Sequence, residues 1–326
     1  MMANIRATLA VAHYDRHVPF LDGTVTVPGV ELTIKEVGQS IPGRDGEDRH
    51  GRMLRDGEFE AAEVSLSSYL MAKERQAPFT AIPVVPRRLF CQSLFFVRAD
   101  SPLSGPQDLA GKRVGINTYQ TTLSVLGKGD LEHEYGVPWK SITWVINAEE
   151  TLPFEPPAGV KLQRAPSGRQ IDHMLLAGEI DAALMPHPPS SLIANPEGVR
   201  RLFPDARQAE EAYYRENGYW PVMHLVALRQ DVAQQHPRLP RALFDAFEQA
   251  KRKALWHFED PNWSMLAWGR HYLEEESHRM RGDPWPNGVA RNKANLERFM
   301  RYSQEQGLTK QPLAMSELFH ESVLDT

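Results

Sequence analysis

The chain has 326 residues and a mass of 37.0 kDa, long enough for two cores rather than one. Hydrophobic residues make up 41% and charged residues 24%, which is the usage of a folded globular protein and excludes a disordered one. A net charge of −5 and a pI near 6.2 exclude the basic footprint of a nucleic-acid binder, though not a small anion held by a few arginines.

The stretch MMANIRATLAVAHYDR carries one short apolar run, Ala7 to Ala12, that leads straight into charged residues. It is too short for a membrane helix and reads as a first buried strand, so a cytoplasmic protein without membrane contact is expected. A polar loop, His13-Tyr14-Asp15-Arg16, follows. Thr24 to Val27 and Val30 to Val37 read as a hairpin-like pair joined at Pro28-Gly29. Gly38 to Arg52, rich in glycine and charge, reads as loop or the loose start of a helix. Phe59 to Val64 reads as a strand, and Ser65 to Glu74 as a helix whose serines can cap it. Ala81 to Val85 and Leu94 to Arg98 read as strands.

Asp100-Ser101-Pro102 and Gly105-Pro106 punctuate a change of unit. A strand is expected over Val114 to Asn117, helices over Thr121 to Tyr135 and Gln170 to Ala177, and a strand over Ala182 to Met185 after Gly178. Val222 to Arg229 reads as a returning strand. Beyond it the pattern is helical: Leu239 to Phe258 places Leu243, Phe244, Phe247, Ala250 and Ala254 on one face. Alternating strands and helices predict an α/β fold of two lobes with largely parallel sheets, a central cleft and a helical tail. The expected lobes are 1–98 plus 226–326, and an inserted 99–225.

Ligands of open α/β sheets sit at the carboxyl ends of strands, which directs attention to the residues just after each one. After the first strand, Arg16 has the fork that suits a carboxylate, with Asp15 to orient it. After Val64 come Ser65, Ser67 and Ser68, hydroxyls at a helix start, and simple N-capping is the competing explanation. Glu63 is a carboxylate among apolar neighbours, either buried and perturbed or turned outward. Of the pair Arg87 and Arg88, Arg88 is favoured as the one facing the ligand. Asn117, Thr118, Tyr119, Thr121 and Thr122 form a donor-rich link between strand and helix, the strongest local signal for gripping an anion. His187 and His224 sit at strand ends and are candidate acid–base groups; a hydrogen-bonded core histidine is the alternative for His224. The remaining histidines are assigned to the helical tail. Cys91, the only cysteine, lies in an apolar run and reads as a buried, inert thiol. G-x-S-x-G, P-loop, H-E-x-x-H and G-x-G-x-x-G patterns are absent.

Several strings together carry a resemblance. DLAGKRVG at 108–115 and GEIDA at 178–182 are words of the type II periplasmic-binding-protein fold. Tyr14-Asp15-Arg16, Leu66 to Tyr69, His133 to Val137, Pro221 to His224, Gly282 to Pro286 and Tyr302 to Leu308 extend it along the chain. Together they resemble the 4,5-dihydroxyphthalate decarboxylase family. Two departures from its pattern stand out: Cys91-Gln92 replaces a basic pair after Arg88-Leu89-Phe90, and His187 stands where an arginine is common.

The resemblance implies non-oxidative loss of carbon dioxide from a hydroxylated aromatic acid, with protocatechuate as the product of 4,5-dihydroxyphthalate. Arg16 and Arg88, with Thr118, Thr121 and Thr122, are then expected to clamp carboxylates. His224 or His187 would exchange the proton, with Glu63 or Tyr14 setting its state. No cofactor is required by this chemistry; a divalent metal is compatible with it, as is a homo-oligomer. A non-catalytic solute-binding protein of ABC-transporter type, for a small organic anion, is the competing reading.

Overall fold

A computed structural model of the chain describes residues 5–38, 45–188, 197–280 and 282–326. Part of the expected loop from Gly38 to Arg52, residues 39–44, lies outside them. The chain divides into two compact units. One is built from 1–88, 222–294 and 313–326, the other from 89–221 and 295–312.

The first unit holds a five-stranded sheet. Its strands are β1 (Ile5–Val11), β2 (Val30–Glu36), β3 (Ala61–Ser65), β4 (Phe79–Ile82) and the returning β11 (His224–Arg229), in the order β2-β1-β3-β11-β4. β1 pairs in parallel with β2 and β3, whereas β11 runs antiparallel to both β3 and β4. The expected hairpin at Pro28-Gly29 does not form. Residues 24–27 are not a strand, so β2 has no hairpin partner there and pairs instead with β1, in parallel. Two helices bear on the site described below: α1 (Arg49–Leu54), which begins within the segment expected as loop or helix start, and α2 (Leu66–Glu74). A third, α4 (Leu239–Leu255), buries Leu243, Phe244, Phe247, Ala250 and Ala254, the stripe read from spacing.

The second unit holds six strands. In chain order they are β5 (Phe95–Arg98), β6 (Arg113–Ile116), β7 (Thr143–Ile146), β8 (Lys161–Arg164), β9 (Ala182–Leu184) and β10 (Val199–Arg201), and in space β10-β5-β9-β6-β7-β8. β6 is parallel to β7 and β9, and β5 is antiparallel to β9 and β10. Helix α3 (Thr122–His133) follows β6. Phe96, Val145, Ile171, Leu175 and Ile180 fill one face of this sheet. Gly115 permits the packing, since a Cβ there would stand 2.6 Å from Ile180 and 2.8 Å from Ile171.

The lobe limits read from sequence move accordingly. The strand Phe95–Arg98 belongs to the second unit, because both of its ladder partners are there. A long helix, α5 (Val289–Glu305), starts in the first unit and ends in the second. Its second half joins the second unit through Tyr302, whose hydroxyl reaches Asp130, and the following turn through Gln306, which bonds the Val125 carbonyl. Residues 313–326 return to the first unit, where the Tyr69 hydroxyl donates to the Leu318 carbonyl at 2.5 Å and His320 N–H to the Ala81 carbonyl. Among the described residues no helix is long and apolar enough to cross a membrane.

Candidate active site

Strand β3 is buried along its whole length, and Glu63 stands in its middle with no exposed surface. An ionised carboxylate in such a place needs compensation from several directions. Glu63 Oε2 accepts the Ala12 N–H at 2.9 Å and lies 3.2 Å from the Arg49 guanidinium; Oε1 accepts from His224 Nδ1 at 2.5 Å and from the Tyr14 hydroxyl at 3.3 Å. The strand register explains the histidine contact. Val226 pairs with Glu63 and His224 with Ser65, so His224 is the diagonal neighbour of Glu63 on the same face.

Arg49 is the internal counterion. It opens α1 behind the N-cap Asp48, whose side chain accepts from His50 N–H, and it is 3% exposed. Its Nε donates to the Glu63 carbonyl at 2.8 Å and its Nη1 to the Val37 carbonyl. Gly38, with φ +82°, keeps that approach open: a Cβ would lie 3.1 Å from Arg49 Nη1. Burial works to raise the Glu63 pKa, but Arg49 and the His224 hydrogen bond outweigh it and hold the carboxyl well below its usual range.

The histidines around it are neutral. Burial lowers His224 to about 4 despite Glu63, and lowers His17 to about 4; His50 is driven well below its ordinary value by burial and by the neighbouring His224. His17 Nδ1 donates to the Ala12 carbonyl at 2.8 Å, and its ring packs against Tyr14 and Phe247. His50 and His224 meet edge to face, centroids 4.9 Å apart, and His50 Nδ1 accepts the Ser65 N–H at 3.0 Å. Tyr14 stays protonated, because burial and then Glu63 push its pKa upward.

This arrangement leaves His224 with a nitrogen that can accept a proton. A carboxylate oxygen only accepts, so His224 Nδ1 carries the proton and Nε2 keeps its lone pair. Glu63 fixes the tautomer and would stabilise the imidazolium formed on taking up a proton, the role of the buried acid in any carboxylate–imidazole pair.

Of the residues singled out in sequence, the structure brings together Glu63, His224, Tyr14 and the Ser65 backbone. Ser65 makes no side-chain cap, contrary to expectation, while Ser67 and Ser68 are buried within α2. Arg16 spends its fork locally: Nε and Nη2 donate to the Pro86 carbonyl, Nη1 reaches Asp15, and the guanidinium lies over the rings of Tyr14 and Trp285. Arg88 turns inward, 1% exposed, and donates to the Pro286 carbonyl and to Asn292. The expectation for this pair is thereby reversed, since Arg87 is the one whose charge acts on Tyr14, His50 and His224.

The other candidates belong to the second unit. There the loop after β6 already holds a carboxylate of its own: Glu150 accepts the N–H of Tyr119 at 2.7 Å and of Gln120 at 3.1 Å. Tyr119 is fully buried, its hydroxyl on the Gln306 carbonyl, and Lys128 is buried over its ring with Nζ on its carbonyl. Thr118 Oγ1 accepts from Thr121 N–H, and Thr121 Oγ1 bonds Ser124. Asn117 uses its carbonyl to hold Asn147 and Ala148, and Thr122 is buried in the first turn of α3. The expected anion grip is therefore occupied at Tyr119 and Gln120 from within. His187 is exposed after β9. Cys91 is buried with its thiol on Asp130, and Gln92 bonds the Tyr135 hydroxyl, so both departures from the family pattern at 91–92 are internal contacts.

Sequence reasoning missed Arg49, His50 and His17, having placed every remaining histidine in the tail. The available signal was Asp48 as an N-cap ahead of Arg49-His50 and the apolar Met53-Leu54. Among the described residues no group of three or more His, Cys, Asp or Glu side chains is placed to hold a metal ion.

No protein-family model matches the chain. Relatives do. The chain is 34% identical to the 4,5-dihydroxyphthalate decarboxylase of Comamonas testosteroni over 336 residues, spanning 100% of this chain and 99% of that one. It is 31% identical to the protein of the same name from Pseudomonas putida over 226 residues, 67% of this chain and 85% of that one. Among solved structures, the periplasmic aliphatic sulphonate binding protein SsuA of Escherichia coli superposes with a TM-score of 0.56 at 11% identity, covering 99% of each chain. The alkanesulfonate-binding SsuA of Xanthomonas axonopodis pv. citri gives 0.56 at 14% identity over 95% of this chain and 96% of that one. The desulfurization enzyme DSZB gives 0.52 at 16% identity over 98% of both. At such identities the structural likeness speaks for the fold alone, and it is the type II periplasmic-binding-protein fold. Given the full-length relationship at 34% identity, the chain belongs to the 4,5-dihydroxyphthalate decarboxylase family.

Proposed function

We propose that this protein is a carboxy-lyase that decarboxylates 4,5-dihydroxyphthalate, or a close hydroxylated aromatic acid, without oxidation, yielding protocatechuate from the former. The end-to-end relationship to the Comamonas testosteroni decarboxylase carries the reading, and the Glu63–His224 pair supplies a group able to do the chemistry.

In 4,5-dihydroxyphthalate each carbon bearing a carboxylate lies para to a hydroxyl. His224 Nε2 takes the proton of that hydroxyl, and the oxygen's electron pair moves through the ring to the carboxylated carbon, which takes up a proton from solvent. Loss of carbon dioxide then returns the bonding pair to the ring. Glu63 holds His224 in the tautomer that can accept, and Arg49 keeps Glu63 ionised. The positive charge of Arg87, felt at His224, His50 and Tyr14, is assigned to drawing in the dianionic substrate. No electron-sink cofactor enters this scheme.

The test is carbon dioxide and protocatechuate release from 4,5-dihydroxyphthalate. His224→Ala is expected to lower kcat by about 10²–10⁴-fold while changing substrate affinity little. Equal losses in turnover and binding would remove His224 as the acid–base group. Tight binding by the unaltered protein without release of carbon dioxide would favour the solute-binding alternative.

A further inference from the structure

His50 has no part in the proton exchange just described, yet it is built into the same corner. It is the second residue of α1, its ring meets His224 edge to face, and its Nδ1 is tied to the Ser65 N–H. A backbone amide has only a proton to give, so His50 Nδ1 carries a lone pair. With the ring neutral, its proton then sits on Nε2. His224 is the reverse case: Nδ1 gives its proton to Glu63, and Nε2 holds the lone pair. One strand pairing sets both tautomers, for Ser65 and His224 are register partners across β3 and β11. Neither Nε2 has a hydrogen-bond partner among the described residues.

Two adjacent imidazoles thus present one acceptor and one donor, each fixed by a main-chain or carboxylate contact. A phenolic hydroxyl is the complement, with one proton to give and lone pairs to receive. We infer that His224 and His50 together read a ring hydroxyl of the substrate, with His50 Nε2–H as the specificity-determining donor. The inference rests on the decarboxylase reading for its substrate class but not for its geometry. When His224 takes the hydroxyl proton, the C–O bond gains double-bond character and the ring carbon bearing the carboxylate takes up one proton from solvent. The C–CO₂ bond then breaks, its electron pair restores the ring, and the oxygen, again a phenolate, recovers its proton from His224. His50 donates to that oxygen throughout and favours the charge it carries at the start and at the end.

Two substitutions separate this role from a structural one. His50→Asn keeps an acceptor near the old Nδ1 position, so the Ser65 N–H stays satisfied, but removes the donor. His50→Gln keeps a donor near Nε2 and removes the acceptor. Calorimetry with 4,5-dihydroxyphthalate and with phthalate, which has the carboxylates and no hydroxyl, reads the preference; carbon dioxide release reads kcat. The unaltered protein is expected to favour the hydroxylated acid by about 10²-fold or more. His50→Asn should cut both that preference and kcat by about tenfold or more, and His50→Gln should retain most of each. An unchanged preference in His50→Asn, equal losses in the two variants, or no binding of either acid by the unaltered protein would overturn the inference. A protein that prefers the hydroxylated acid, loses that preference in His50→Asn and releases no carbon dioxide would support the hydroxyl-reading pair while sinking the decarboxylase reading.

Discussion

The two units run the same strand plan. In the first the order is β2-β1-β3-β11-β4; in the second, β7-β6-β9-β5-β10 with β8 added beyond β7. In each, the antiparallel strand inside the sheet is the one that follows entry from the other unit, β11 after Val222 and β5 after Leu89. In each, the loop after the matching strand, β1 or β6, leaves backbone N–H groups that a carboxylate accepts: Glu63 for Ala12, and Glu150 for Tyr119 and Gln120. The units part company in what else surrounds the acid. Glu63 is also held by Arg49 and reaches an imidazole with an unengaged nitrogen, whereas near Glu150 the buried base is Lys128, spent on the Tyr119 carbonyl and ring. The same use of a carboxylate on loop N–H groups thus adjoins an imidazole in one unit and a lysine bound to a main-chain carbonyl in the other.

The sharpest way to break that contrast is Glu63→Gln. It removes the ionised acceptor that fixes His224 and leaves Arg49 buried without its counter-charge. Turnover should fall by about 10²-fold or more, and stability by about 3–5 kcal/mol in denaturant unfolding. A Glu63→Gln protein that turns over at the original rate would put the two carboxylates on a par.

The units should also respond to pH with opposite signs. His224 and His17 have folded pKa values near 4, below the ordinary 6.5, and His50 is lowered too. The unfolded chain therefore binds more protons between about pH 4 and 6.5, and the first unit loses stability as pH falls through that window. Asp130 in the second unit is pushed up to about 7 by burial, from 3.8. Here the folded state binds the proton, so its contribution is complete below pH 3.8 and is lost as pH rises toward 7. Melting from pH 4 to 8 should show Asp130→Asn removing a fall toward neutrality and leaving the acid-side loss in place. A steeper fall toward neutrality in that variant would reverse the sign argued for Asp130.

The smallest effect is expected from Glu150→Gln. An amide oxygen still accepts from one of the two N–H groups, so stability should drop by about 1–2 kcal/mol with little change in turnover. Loss of turnover on the scale of Glu63→Gln would erase the distinction between the units.

Much of the plan was legible in the chain. Ala7 to Ala12, Ala182 to Met185 and Val222 to Arg229 are apolar runs bounded by turn residues, and each overlaps a strand. Thr143–Ile146 and Lys161–Arg164 escaped notice because the first is only four residues long and the second is mostly exposed, so neither has a periodic signature. Ala206–Asn217 had its signals, the Asp205 cap and a left-handed Gly218 at its end, but its face is mainly polar. At the site, Glu63 stood out as a charge in an apolar strand and His224 as a strand-end histidine. Arg49 and His50 did not, because their roles come from a contact across the fold, between 49–50 and 63–65, that no local pattern encodes. Arg88 over Arg87 was a choice between neighbours whose side chains take different directions, which depends on where Asn292 and Pro286 arrive from 200 residues away.

The crossing helix α5 and the segment 313–326 have a consequence for the order of synthesis. The second unit is closed by Tyr302 and Gln306, and the first by Leu318, Phe319 and His320 laid against Tyr69 and Ala81. On a ribosome, where chains emerge from the amino end, neither unit is complete until these late residues appear. The cores around Glu63 and Asp130 are thus closed by one stretch of chain, residues 302–320.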